Sequence, residues 1–239
     1  MDLPSHITKA EVLMYADDVT LVVSAPSAAE ASARMEEALA EFHAYAMANR
    51  TLPEPSKTQL LMVGPSWGLE GLEQFATKMA GTSIPPRPCI KVLGALLDSK
   101  LNWEPHNVAA AAKARGVAYS VYRATKSLPK PTAALLMRSL AHPILDYAQA
   151  SLAHPSALAL NIIRRAYSLT ARLASRARRV RIQGSDPAAY RIPDTAPLLR
   201  ALKWKGWGTR LKAARAKLVC QIWHAGRPAR LAKLLPPPP

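Results

Sequence analysis

Two adjacent carboxylates, Asp17 and Asp18, sit between two apolar segments rich in β-branched residues, Glu11-Val12-Leu13-Met14 and Val19-Thr20-Leu21-Val22-Val23. That pattern predicts a short hairpin with both acids at its tip. Neighbouring carboxylates at one point in space suit a hard divalent ion, because Mg²⁺ prefers carboxylate and phosphate oxygens. The plain alternative is an Asp-Asp turn, which Asp favours through its own backbone hydrogen bonds. The apolar flanks argue against it, since a solvated turn needs no buried strands. Far down the chain, Arg165, Arg172, Arg176 and Arg179 recur at i, i+7, i+11 and i+14. They run beside an apolar stripe of Ile162, Ala166, Leu169, Leu173, Ala177 and Val180. A helix from about residue 157 with that pattern buries one side and offers a ladder of guanidinium groups to a phosphate backbone. Arg164, Arg178 and Arg181 widen the ladder. Lys203-Trp204-Lys205-Gly206-Trp207 interleaves aromatic and basic residues, as strand binding by stacking and phosphate contact requires. Trp204, Trp207 and Trp223 serve equally well as the core of a small helical subdomain.

These groups need elements to hold them. Ser27 and Glu30 form a capping box at a helix start. Met35, Leu39, Phe42 and Ala46 then recur at helical spacing while Glu36, Glu37 and Glu41 face away. Residues 58–63 read as a strand between Pro55 and Gly64-Pro65, with Lys57 at its entrance. Residues 89–98 read as a second strand pair, turned at Gly94. After Trp103-Glu104-Pro105 the pattern becomes helical, with Val108, Ala111, Ala112, Ala118, Tyr119 and Tyr122 on one face. A further helix starts near Pro131, carries Leu135, Leu136, Leu140 and Ile144, and is kinked or ended by Pro143. Trp103 and Tyr147 read as core residues. Residues 183–197 read as a linker and Pro236 to Pro239 as a disordered end.

Tyr15-Ala16-Asp17-Asp18, Pro55-Ser56-Lys57-Thr58, Leu93-Gly94-Ala95-Leu96-Leu97-Asp98 and Leu101-Asn102-Trp103-Glu104-Pro105-His106 follow one another in that order. The ordered set, over about residues 11–150, resembles the reverse transcriptases of non-LTR (LINE-like) retrotransposons. The resemblance implies that Asp17 and Asp18 are catalytic metal ligands for Mg²⁺ or Mn²⁺ in the complete enzyme. It implies that Lys57 lies near the incoming triphosphate and helps protonate the leaving pyrophosphate. It makes Leu93 and Gly94 part of a primer grip, and it implies an RNA template and a DNA primer as partners. In that family a third palm aspartate and a template-positioning helix precede the hairpin, and Asp2 lies in no matching context. Glu54 stands where the family has Asn, and Tyr45 where it has Trp. The chain is therefore expected to be the C-terminal part of a polymerase, inactive alone and partnered by an upstream polymerase half. The other expectations are a catalytically dead RNA- or DNA-binding remnant and a decayed reading frame.

Charge divides the 239 residues sharply. Residues 1–105 hold eight Lys/Arg against thirteen Asp/Glu, and residues 106–239 hold twenty-four against three. So basic a segment attracts polyanions through counterion release. The two cysteines, Cys89 and Cys220, have no metal-ligand spacing and make no disulfide framework. No apolar run suits a signal peptide or a bilayer span, so the expected location is intracellular, nuclear or cytoplasmic, without membrane partners. Gly64-Pro65-Ser66-Trp67-Gly68 matches a serine-hydrolase elbow, but the alternating strand–helix pattern of that fold is missing. The expected class is α+β: a partial polymerase palm, an antiparallel sheet with a packed helix, over 1–100; a helical thumb over 101–155; and a basic helical nucleic-acid-binding region over 156–235.

Overall fold

The computed structural model describes residues 3–64, 75–152, 155–177, 180–181, 190–226 and 233. It is a mixed α+β structure of helices and two-stranded antiparallel sheets. The chain forms two compact units, Met1–Leu101 and Asn102–Pro239.

In the first unit, helix α1 (Leu3–His6) precedes the hairpin β1 (Glu11–Tyr15) and β2 (Asp18–Val22). Their register pairs Val12 with Leu21 and Met14 with Val19. These four side chains pack on Leu3, Ile7 and Ala38, with Phe42 and Tyr45 alongside. Because strand side chains alternate, the same register puts Leu13, Thr20, Tyr15 and Asp18 on the opposite face. Helix α2 (Ala28–Ala48) starts at Ser27, whose Oγ accepts from the Glu30 amide at 3.2 Å. Glu30 does not reach back to complete the box; it pairs with Arg34 one turn on. Leu39 of α2, with Met35, covers Met79 and Ile84 from a second hairpin, β3 (Thr77–Met79) and β4 (Thr82–Ile84).

The glutamates expected to face away from α2 do structural work. Glu41 accepts from the Thr8 amide at 2.7 Å and the Thr8 hydroxyl at 2.6 Å. Glu36 accepts from the Lys78 amide at 3.2 Å, satisfying a donor of β3. The strand expected at 58–63 is reduced to one bridge, Leu60 to Pro86. Its partner segment reads Pro85-Pro86-Arg87-Pro88, and proline has no amide hydrogen for a ladder. Arg87 is the residue there that can donate, and it does so to the Leu60 carbonyl at 2.8 Å. Lys57 lies in a single 3₁₀ turn, Pro55–Lys57. A third hairpin, β5 (Cys89–Val92) and β6 (Ala95–Asp98), closes the unit.

The second unit is built on two long helices, α3 (Glu104–Ala124) and α6 (Ala157–Ser175). Residues expected to divide at 155/156 into a thumb and a separate basic region share one core here. Its seam is lined by small residues, Ala110, Ala111, Ala114 and Ala118 from α3 and Ala166, Ala171 and Ala174 from α6. Small side chains let two helix backbones approach and interlock. Asn107 ties α3 to α6 by donating to the Ala159 carbonyl at 2.9 Å, and Gln149 donates to Asn107 Oδ1 at 2.7 Å. Between them, α4 (Lys130–Leu136) runs into a π turn, Met137–Ala141, and on into α5 (His142–Asp146). Pro143 lacks the amide that would bond one turn back, and the wider turn before it lets the helix continue rather than end.

The buried face of α6 is Ala159, Ile163, Ala166, Tyr167, Thr170, Ala171 and Ala174. It is displaced from the expected stripe, leaving Ile162 and Leu173 at its margin. The helix ends at Ser175, not near Val180, with Arg176 as a left-handed cap (φ 53°). Part of the expected linker is structured. Tyr190–Arg191 (β8) pairs with Val180–Arg181 (β7), and α7 (Thr195–Ala201) begins at an Asp194 cap. Helix α8 (Trp207–Ala225) is the final described helix. Trp204 and Trp207 are buried against Tyr167, so those two indoles are core residues and not stacking platforms. Trp103 is buried too, whereas Tyr147 is half exposed.

Candidate functional site

The acidic tip is a two-residue loop, Ala16-Asp17, between the paired residues Tyr15 and Asp18. Ala16 takes φ 52°, a region that costs an L-residue about 1–2 kcal/mol. Asp17 and Asp18 are both exposed. The face that carries Asp18 also carries Tyr15, 67% exposed, and Leu13, 52% exposed. The hairpin is thus packed on one side and presents acids and bare apolar surface on the other.

The donor set does not complete a metal centre. Among the described residues no group of three or more His, Cys, Asp or Glu side chains converges to hold an ion. Two-metal phosphoryl transfer needs carboxylates that clamp both ions about 4 Å apart. Two acids on one turn cannot supply that clamp, and no catalytic step follows from them alone.

Lys57 is 81% exposed and its Nζ lies 2.7 Å from Glu54. The hydrogen bond to Glu54 leads, with its charge adding, in raising the lysine above its ordinary value. Glu54 is held below its ordinary value by the same lysine, then by Ser56. No hydrogen bond or ion pair among the described residues joins Lys57 to Asp17 or Asp18.

Leu93 and Gly94 form the tip of the β5–β6 hairpin, at φ 46° and 84°. Two left-handed residues make the turn whose twist matches the flanking strands. Glycine adopts that conformation freely, but leucine does not, and Leu93 is nearly half exposed there. Sequence reasoning found the glycine and missed the strain at its neighbour; only the backbone reveals it.

Of the arginine ladder, Arg165 is exposed beside exposed Arg164, and Arg172 is half-buried about two turns further along α6. Arg176 does not belong to it. Its guanidinium donates to the carbonyls of Thr125 and Leu128, closing the end of α3. The left-handed cap swings the side chain off the helical repeat, so the i+11 spacing no longer describes it. Arg178 and Arg179 lie outside the described residues, as do Ser66 and Trp67 of the hydrolase-like pentapeptide and the terminal prolines. Lys203 and Lys205 are both exposed, on either side of buried Trp204. Among the described residues no helix is long and apolar enough to cross a membrane.

No protein-family model matches the chain, and neither a curated protein nor a solved structure matches it.

Proposed function

We propose that this chain is part of a reverse transcriptase of the non-LTR retroelement type, with the hairpin acids as metal ligands and the second unit as its nucleic-acid-binding portion. The observation that carries the reading is the tip itself. Tyr15-Ala16-Asp17-Asp18 folds into a tight, strained hairpin that buries one face and exposes two hard oxygen donors. The order of the later segments supports it, since Lys57, the Leu93-Gly94 turn and the helix opening at Glu104 follow in the sequence the resemblance requires. Because the described donors are two, polymerisation needs a further carboxylate brought to the hairpin, and the activity of this chain by itself is binding to RNA or DNA. Exposed Arg164, Arg165, Lys203 and Lys205 favour that binding.

The test is primer extension on an RNA template with Mg²⁺ or Mn²⁺, beside RNA binding measured against salt concentration. The expected result is no extension and an affinity that falls steeply with salt, by a log–log slope of about −0.7 for each single-strand phosphate neutralised. Extension by the chain alone that disappears in Asp17→Ala overturns the donor argument. Salt-independent or absent RNA binding overturns the assignment of the second unit.

A further inference from the structure

Within the second unit a cleft of about 200 Å³ is lined by Arg138, Lys203, Trp204, Lys205 and Arg210. At about 30 Å³ per water, that volume holds several waters or one small oxyanion. Four permanent cations share this space, and Asp146, paired with Arg210, is the one carboxylate ion-paired to them among the described residues. Like charges this close repel, and an anion placed between them relieves the repulsion.

The fold fixes the backbone that carries these cations, and it holds the Arg210 guanidinium itself. Arg138 sits on the π turn, a kind of helix irregularity found often at functional sites. Lys203 takes φ 54°, a conformation suited to glycine, in the turn after α7. The Tyr167 hydroxyl donates to the Lys205 carbonyl at 2.7 Å and so pins that turn. Arg210 lies over the Tyr167 ring, 5.7 Å from its centroid, and its Nε is buried with no acceptor. The uncompensated field reaches His142 below the cleft. Burial first, then the charges of Arg210 and Arg138, hold its imidazole down to about 4.

We propose that this cleft is a phosphate-binding site, taking either a backbone phosphate of a nucleic-acid strand or a free phosphate. A tetrahedral oxyanion meets the open donors of Arg138, Lys203 and Lys205 with charge-assisted hydrogen bonds. In its strand form the inference deepens the nucleic-acid reading above and rests on it; the free-phosphate form stands without it.

The test uses the full chain and a double variant, Lys203→Gly with Lys205→Gln. Glycine accepts the backbone conformation at 203, and the change at 205 keeps the carbonyl that Tyr167 bonds, so the fold survives; a melting curve checks this. The control, Lys113→Gln with Arg115→Gln, removes the same charge from exposed positions of α3. The probes are inorganic phosphate, by calorimetric titration, and a labelled single-stranded RNA, by anisotropy. The expected result is binding about tenfold weaker in the double variant and within about twofold of the parent in the control, the loss that follows from removing charged hydrogen-bond donors. Selective loss with RNA identifies a strand phosphate as the occupant; selective loss with inorganic phosphate alone identifies a free one. Double variant and control behaving alike with both probes overturns the site. Absence of RNA binding by the parent instead removes the nucleic-acid reading, and the phosphate titration still decides the cleft.

Discussion

Acidification should destabilise the second unit through one ring. The Thr170 hydroxyl gives its hydrogen to the Tyr167 carbonyl at 2.7 Å, so toward His142 Nε2, 3.0 Å away, it can act only as an acceptor. The neutral ring therefore carries its hydrogen on Nε2, and Nδ1 is buried without a partner. A second proton must go to Nδ1, in a site 1% exposed, facing Arg138 and Arg210 and against the rings of Tyr167 and Trp204. The folded value is about 4 against an ordinary 6.5. A base depressed by folding contributes its full stability above the unfolded value and loses it as pH falls from 6.5 towards 4. Linkage then gives a loss of about 2 kcal/mol between pH 7 and pH 5. Asp146 works the other way, because burial, exceeding the pull of Arg210, raises its carboxyl and makes acid favour the fold. The cleanest window for His142 is therefore between pH 6.5 and pH 5. The assay is urea unfolding at pH 7, 6 and 5, followed by tryptophan fluorescence. With a slope of about 2 kcal/mol per molar urea, the midpoint should fall by about 1 M. His142→Gln should flatten that dependence. A parental midpoint that does not move, or an imidazole at 142 titrating near 6.5 by NMR, refutes the argument.

Arg176→Ala should lower the stability of the second unit by about 2 kcal/mol, since two carbonyls lose a charged donor; thermal melting checks it, and Arg165→Ala should leave the melt unchanged. Ala171→Leu should destabilise by about 1–3 kcal/mol by forcing α3 and α6 apart at their small-residue seam, read from the chemical midpoint. Ala16→Gly should leave the first unit as stable or up to about 1 kcal/mol more so, because relief of the left-handed strain outweighs the entropy glycine adds. Hydrogen exchange of the β1–β2 amides reports that change.

Local chemistry in the sequence anticipated the local structure. The hairpin at 11–22, the cap at Ser27 and the turn at Gly94 each depend on residues a few positions apart, and each forms where the pattern put it. Spacing alone misplaced the face of α6, because the tightest contact is made by Ala166, Thr170, Ala171 and Ala174, residues that carry little hydrophobic signal. Arg176 leaves the ladder for a related reason: one left-handed residue ends the repeat on which a helical ladder depends. The strand at 58–63 failed on its partner, since nothing within 58–63 reveals that Pro85, Pro86 and Pro88 will lie opposite. Arg138, His142, Tyr167, Trp204 and Arg210 meet across more than 70 residues of chain, and no short window contains that meeting.

The described strands form four separate pairs, so each one lies at the rim of its sheet. A strand at a rim offers its outward backbone donors and acceptors to any extended peptide, including another copy of the chain, and side chains cover two of these amides, Glu36 at Lys78 and Gln59 at Lys91. Lys78 in the middle of β3 and Lys91 in β5 act as gatekeepers, since stacking copies in register would align like charges. The β1–β2 hairpin has no lysine or arginine and relies on Glu11 and Asp18. Its charge is negative in a protein of net +16. Self-stacking there is opposed, while pairing with the cationic remainder of a neighbouring copy is favoured. In concentrated solution the first clumping is therefore expected head to tail, acidic rim to basic helix, and moderate salt should disperse it.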